Sequence, residues 1–310
     1  MLPPIPRNVQ KSNILIYILT VLAVTFWGIS YVWTRIALDF YGPVTIMFIR
    51  LSLSSLLMFG ISRTMRLGQK IHARDRKSFV LLAFFSPFCY FLGENFGVFH
   101  VSPTLASVII ATIPVFAPIL GYVAFRERLS VMNILGFLVS FTGVMVMVLD
   151  TNLQFTASPR GILWLSFAVL SALVNIVFLK KLAARYSSFT IIRSQNLLGA
   201  LFFLPVFLIL DYPDVLHIRP SHQAIGSLLA LAIFGSTLAF MFYTSAVRAI
   251  GIARTSIFAN LIPVVTAITS LIILREVIDL SRIVGMLIVI SGLFMTQASG
   301  FRRWHRARKK

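Results

Sequence analysis

The chain has 310 residues, of which 58% are hydrophobic and 12% charged, and its mean hydropathy is +0.91. A soluble domain carries about 25% charged residues, so this composition excludes a water-soluble globule and indicates a membrane protein. The net charge of +19 does not read as nucleic-acid binding, because the basic residues lie in short runs between apolar segments and at the tail, where charge sets membrane orientation.

A crossing helix needs about 20 mostly apolar residues. Arg7 and Lys11 precede the first apolar run, 14–38. That run is too long for a signal-peptide core of roughly 7 to 15 residues, so it is expected to remain as the first membrane helix. Further runs follow at 43–62, 78–99, 104–125, 131–149, 160–180, 189–210, 224–247, 253–274 and 281–299. The sequence therefore predicts an all-α integral membrane fold of ten helices. Five helices fall in residues 1–150 and five in residues 151–310, and the second half ends in a basic tail. Only 150–160 and 211–223 are appreciable connections. A single cysteine, Cys89, provides neither a disulfide framework nor a cysteine metal site.

Lys and Arg collect on one side of this arrangement: Arg7 and Lys11, the cluster from Arg63 to Lys77, Arg126 and Arg128, Lys180 with Lys181 and Arg185, Arg248 and Arg254, and the tail from Arg302 to Lys310. The positive-inside rule then puts both termini in the cytoplasm.

The segment ending in Gly143 is repeated. ASVIIATIPVFAPILGYVAFRERLSVMNILGFLVSFTG returns about 149 positions later as TSIFANLIPVVTAITSLIILREVIDLSRIVGMLIVISG. Without a gap, Ser107 matches Ser256, Pro114 matches Pro263, Arg126-Glu127 matches Arg275-Glu276, Gly136 matches Gly285 and Gly143 matches Gly292. A weaker echo relates Arg50 to Arg193. Five helices per half is an odd number, so the second copy is expected upside down, the inverted repeat of many secondary transporters.

Trp27-Gly28, Pro43 and Arg50 in the opening, and Pro114, Glu127, Gly136 and Gly143 later, resemble the EamA branch of the drug/metabolite transporter superfamily. The resemblance covers nearly the whole chain. It implies ten helices around a central cavity lined by helices 1, 3, 4, 6, 8 and 9, with helices 5 and 10 more peripheral. The second half has Leu170-Ser171 where the first has Trp27-Gly28, so the halves are expected to contribute unequally.

Glu94 is the sharpest site candidate, roughly 22 Å along the third helix. An ionisable group inside a membrane usually faces a partner or a wet cavity, and apolar surroundings favour the neutral form of a carboxyl group, which suits a proton-coupling role. Tyr90 shares its face at i−4, and Tyr243 occupies the matching position in the second half. Trp27, Ser30, Tyr31 and Thr34 form one stripe of the first helix. Trp164, Ser171 and Asn175 form another on the sixth, Ser236, Phe240 and Tyr243 lie on the eighth, and Asn260 and Thr266 on the ninth. Expected substrate-binding residues are thus Trp27, Tyr31, Tyr90, Glu94, Trp164, Asn175, Tyr243 and Asn260. Helix packing is the alternative reading of each aromatic stripe.

Pro114, Pro118 and Pro263 remove backbone donors inside helices, and the equivalent pair Pro114 and Pro263 is expected to supply hinges for alternating access. Arg50 and Arg193 read as structural pairs or snorkelling side chains. The glycine pairs, spaced by seven, would allow close helix contact within the fold or between the protomers of a homodimer.

Hydrolase, metalloprotease and nucleotide-loop motifs are absent. The five histidines lack ligand spacing, so no metal or cofactor is expected. The reading is a secondary transporter of the bacterial inner membrane that exports a small metabolite, an amino acid or related zwitterion. A drug or sugar-metabolite exporter, a lipid-modifying membrane enzyme and a passive channel are the alternatives.

Overall fold

The computed structural model describes residues 7–307 except 66, 127–129, 151, 153, 216, 219 and 220. Glu127 and the end of the basic tail, residues 308–310, lie outside the described residues. Over the described residues the protein is all-helical, with 10 helices long and apolar enough to cross a membrane. They are α1 (Ile14–Leu38), α2 (Pro43–Thr64), α3 (Ala73–His100), α4 (Pro103–Val123), α5 (Val131–Val148), α6 (Pro159–Ala183), α7 (Ser188–Leu210), α8 (His222–Val247), α9 (Thr255–Leu274) and α10 (Leu280–Gln297).

Each span agrees with an apolar run to within a few residues, except that α3 starts about five residues before the predicted 78. Its first turns hold Asp75, which is buried against the α6–α7 connection. The Asp75 carboxylate accepts from Arg185 Nη1 and Tyr186 Oη, each at 2.9 Å. A pair of this kind extends a helix past the end of its apolar run, and hydropathy alone does not reveal it. At the other end of the bundle, Asp211 after α7 accepts from the backbone N–H and the hydroxyl of Thr45, at 2.8 and 2.7 Å, and so caps α2. The outward faces carry Leu56, Phe59, Leu163, Leu170, Ile209 and Ile272, all exposed, as a hydrocarbon-facing surface requires.

Two of the repeated features reappear in the backbone. Arg126 and Arg275, about 149 positions apart, both end their helices in the left-handed conformation, at φ 53° and 54°. Non-glycine residues rarely occupy that region, so the same departure at two matched positions carries the repeat seen in the sequence into the backbone. Helix α4 is interrupted at Thr112, between Pro103–Ala111 and Ile113–Phe125, and α9 is interrupted at the matching place, between Ile252–Ala259 and Ile262–Thr269. Pro114 and Pro263 occupy the first turn after each interruption, where a missing N–H leaves no intrahelical bond unmade.

The glycines of α5 and α10 meet inside the fold. A Cβ on Gly136 would lie 2.6 Å from the Gly292 carbonyl oxygen, and one on Gly143 would lie 2.7 Å from that of Gly285. Between the glycine contacts Ser140 Oγ donates to Val289 O at 3.2 Å, and beyond them Asn133 Nδ2 donates to Thr296 O at 3.3 Å. The pairing is antiparallel and reciprocal. Gly143→Leu should therefore force the two backbones apart and cost about 2 kcal/mol or more. Gly60, whose added Cβ would meet nothing within 4 Å, is the control. Thermal unfolding in detergent should show a lower midpoint for Gly143→Leu and little change for Gly60→Leu.

Candidate functional site

The polar residues that line the centre of the bundle are held by interruptions in its helices. Helix α3 breaks where Ser86 adopts an extended conformation, φ −152° and ψ 121°, before Pro87. In a membrane the carbonyls freed by such a break must find donors inside the protein. Gln195 Nε2 donates to Ser86 O at 2.7 Å, and Asn175 Nδ2 donates to Leu82 O at 2.8 Å and to Ser86 O at 3.4 Å. Helix α8 widens to a π-helical pattern over Leu231–Leu238, and Trp27 Nε1 donates to the Gly235 carbonyl there at 3.2 Å.

These devices border a cavity of about 460 Å³. Its walls come from α1 (Trp27, Ser30, Tyr31), α2 (Arg50), α3 (Ser86, Tyr90, Phe91, Glu94), α4 (Ser107, Ile110, Pro114), α6 (Ala172, Asn175, Ile176), α8 (Phe240, Tyr243) and α9 (Ser256, Asn260, Ile262), among others. Helices α5 and α10 contribute nothing to the wall, and α2 enters it through Arg50 alone.

Glu94 is gripped on one side. Tyr31 Oη and Tyr90 Oη both donate to its Oε1, at 3.0 and 2.7 Å, while Oε2 accepts from no described residue. Arg50 is 2% exposed. Its Nε donates to Ser236 Oγ at 2.5 Å, and its guanidinium carbon lies 4.5 Å from the centroid of the Phe91 ring. Its terminal nitrogens form no ion pair with a described carboxylate, so a guanidinium and a carboxylate border one cavity without being bonded to each other. Trp27 packs against Phe240 and Tyr243 with ring centroids 5.0 and 4.9 Å apart, which makes an aromatic wall beside the charged groups.

Two family-matched segments, residues 14–149 and 159–297, correspond to the EamA-like transporter family. The chain belongs to the EamA-like transporter family. This makes it a multi-pass membrane transporter rather than an enzyme. An uncharacterized transporter of Archaeoglobus fulgidus is 26% identical over 280 residues, covering 90% of this chain and 97% of the relative. A probable terminal-alkyne amino-acid exporter of Streptantibioticus cattleyicolor is 27% identical over 282 residues, covering 89% of this chain and 91% of the relative. A crystal structure with 13% sequence identity superposes with a TM-score of 0.67, covering 92% of this chain and 97% of that one, which shows the shared fold.

Of the residues singled out in the sequence of this EamA-like chain, Trp27, Tyr31, Tyr90, Glu94, Asn175, Tyr243 and Asn260 border the one cavity, with Pro114. Trp164 does not reach it. It shares a face with Asn175 but lies about 16 Å nearer the start of α6, stacked on Phe96 with centroids 4.9 Å apart. Pro263 and Thr266 are buried behind the wall, and Thr266 donates to Gly28 O at 2.9 Å. Asn260 exchanges amide hydrogen bonds with Gln297, at 3.0 and 3.1 Å, which ties α9 to α10. Arg50 is the principal residue that sequence reasoning passed over. Its signal was a lone basic residue about eight positions into an apolar run, but only the fold sets it across from Glu94.

Asn175 spends its amide on the α3 break. Asn175→Ala should therefore take from the buried Leu82 carbonyl its side-chain donor, while Ser86 keeps Gln195, and cost about 1–3 kcal/mol. Unfolding of the ligand-free protein should detect the loss.

Proposed function

We propose that the chain exports an amino acid or a related zwitterion through the central cavity by alternating access, in exchange for protons. The observation that carries this reading is the presence in one cavity of Arg50 and Glu94, each fixed on one side and open on the other. A guanidinium offers a planar pair of N–H donors that matches a carboxylate. A carboxylate with a free oxygen suits an ammonium group. The aromatic wall of Trp27, Phe240 and Tyr243 would take the substrate side chain. The similarity to a protein named as a probable amino-acid exporter favours the same substrate class and the outward direction.

Glu94 gives the exchange a simple mechanism. Its free oxygen can hold either a proton or the substrate ammonium, but not both. A proton arriving from the outer side then helps release the substrate there, and loss of that proton to the cytoplasm restores the carboxylate for the next substrate. The breaks at Thr112 and at Asn260–Leu261, each followed by a proline, supply the bending points. The reciprocal glycine seam and the matched conformations of Arg126 and Arg275 favour two inverted five-helix halves, residues 1–150 and 151–310, and the Lys and Arg collected on one side of the chain favour cytoplasmic termini in a bacterial inner membrane.

The test is counterflow in proteoliposomes with an amino acid, its amide, which lacks the carboxylate, and the matching acid, which lacks the amine. The wild-type protein should prefer the amino acid. Arg50→Gln should lose discrimination against the amide, and Glu94→Gln against the amine-free acid, each by about tenfold to a hundredfold, the worth of a charge-assisted hydrogen bond. Glu94→Gln should also stop responding to an imposed pH gradient. If that variant keeps both its substrate preference and its response, the role assigned to Glu94 is wrong.

A further inference from the structure

A second recess, of about 790 Å³, lies away from the central cavity at the end of the bundle where α2 finishes and α3 and α7 begin. Its rim holds Lys70, Arg76 and Arg193, and its wall holds Leu56, Phe59, Val80 and Leu197, which face outward from the bundle. Phe59 is 63% exposed and Leu56 69%, so the wall is continuous with the hydrocarbon-facing surface.

None of the three cations forms an ion pair with a described residue. Asp75 is the acidic residue closest in sequence to Lys70 and Arg76, but it is buried and taken up by Arg185 and Tyr186. Arg193 is aimed by Ser62, to which its Nη1 donates at 2.8 Å. The connection that carries Lys70 is itself fastened to the start of α7. The N–H of Gln69 donates to Thr190 Oγ1 at 2.9 Å, and the Gln69 side chain accepts from the N–H of Ser187 at 2.5 Å. One arginine aimed by a neighbour and two further basic residues beside an apolar wall at a membrane boundary match a ligand with a phosphate at one end and acyl chains at the other. A free phosphate would account for the cations but not for the wall.

We infer that this recess binds an anionic phospholipid, with its phosphate at Lys70, Arg76 and Arg193 and its acyl chains along Leu56, Phe59 and Leu197. The site is independent of the transported substrate.

Native mass spectrometry of the full chain in detergent, with equal amounts of phosphatidylglycerol and phosphatidylcholine, tests the assignment. Wild-type protein should retain phosphatidylglycerol selectively. Lys70→Gln with Arg76→Gln, both at exposed positions, should reduce that selectivity by roughly fivefold for each cation removed. Lys180→Gln with Lys181→Gln removes the same charge elsewhere and should leave it unchanged. Equal retention of the two lipids by the wild-type protein would overturn the site. So would a Lys70/Arg76 variant that stays selective, or a Lys180/Lys181 variant that loses as much. Displacement of phosphatidylglycerol by excess glycerol phosphate would assign the recess to a soluble phosphate instead of a lipid.

Discussion

Inside hydrocarbon a backbone carbonyl or a charge cannot turn to water, so each departure from regular helix must be answered by another part of the protein. That constraint organises this molecule. The extended residue Ser86 in α3 is met by Gln195 and Asn175, and the widened stretch of α8 by Trp27. The answering side chains come from other helices, so each irregularity also draws two helices together. The cavity borders on these junctions, which is how a few polar groups come to sit in an otherwise apolar wall. Arg50 and Glu94 follow the same logic, since each is half satisfied by neighbours that hold it still.

Much of this was legible in the residues. Hydropathy alone located all ten crossing helices, because the cost of exposing polar groups to lipid leaves a clear mark on composition. Helical spacing identified the faces that meet in the cavity, and seven of the eight substrate-binding expectations border it. Spacing gives a face but not a depth, which is why Trp164 shares the stripe of Asn175 and yet packs on Phe96. Arg50 was hidden for a related reason. An arginine in an apolar run reads equally as a snorkelling side chain, and its value depends on a carboxylate in a different helix. The start of α3 was misplaced because the pairing of Asp75 with Arg185 and Tyr186 spans more than a hundred residues.

Repetition of the backbone has not preserved repetition of the chemistry. Arg126 and Arg275 keep the same conformation, and the breaks in α4 and α9 fall at matched positions. Glu94, in contrast, corresponds to Tyr243, and both border the same cavity as one acid and one phenol. Arg50 and its echo Arg193 have separated further. One lies in the central cavity and the other on the rim of the recess at the bundle end. The matched backbone features thus frame a cavity with a distinct charged side and a distinct aromatic side.

The glycine seam between α5 and α10 has a consequence for how the two halves can change over time. Gly136 abuts Gly292 and Gly143 abuts Gly285, each within van der Waals distance of the other's backbone. Neither half has spare volume of its own there, so a bulkier residue gained by one is tolerated only where the other gives room. The four positions form a single epistatic unit, and the two repeated segments, free to diverge along the cavity wall, are bound to drift together along this line.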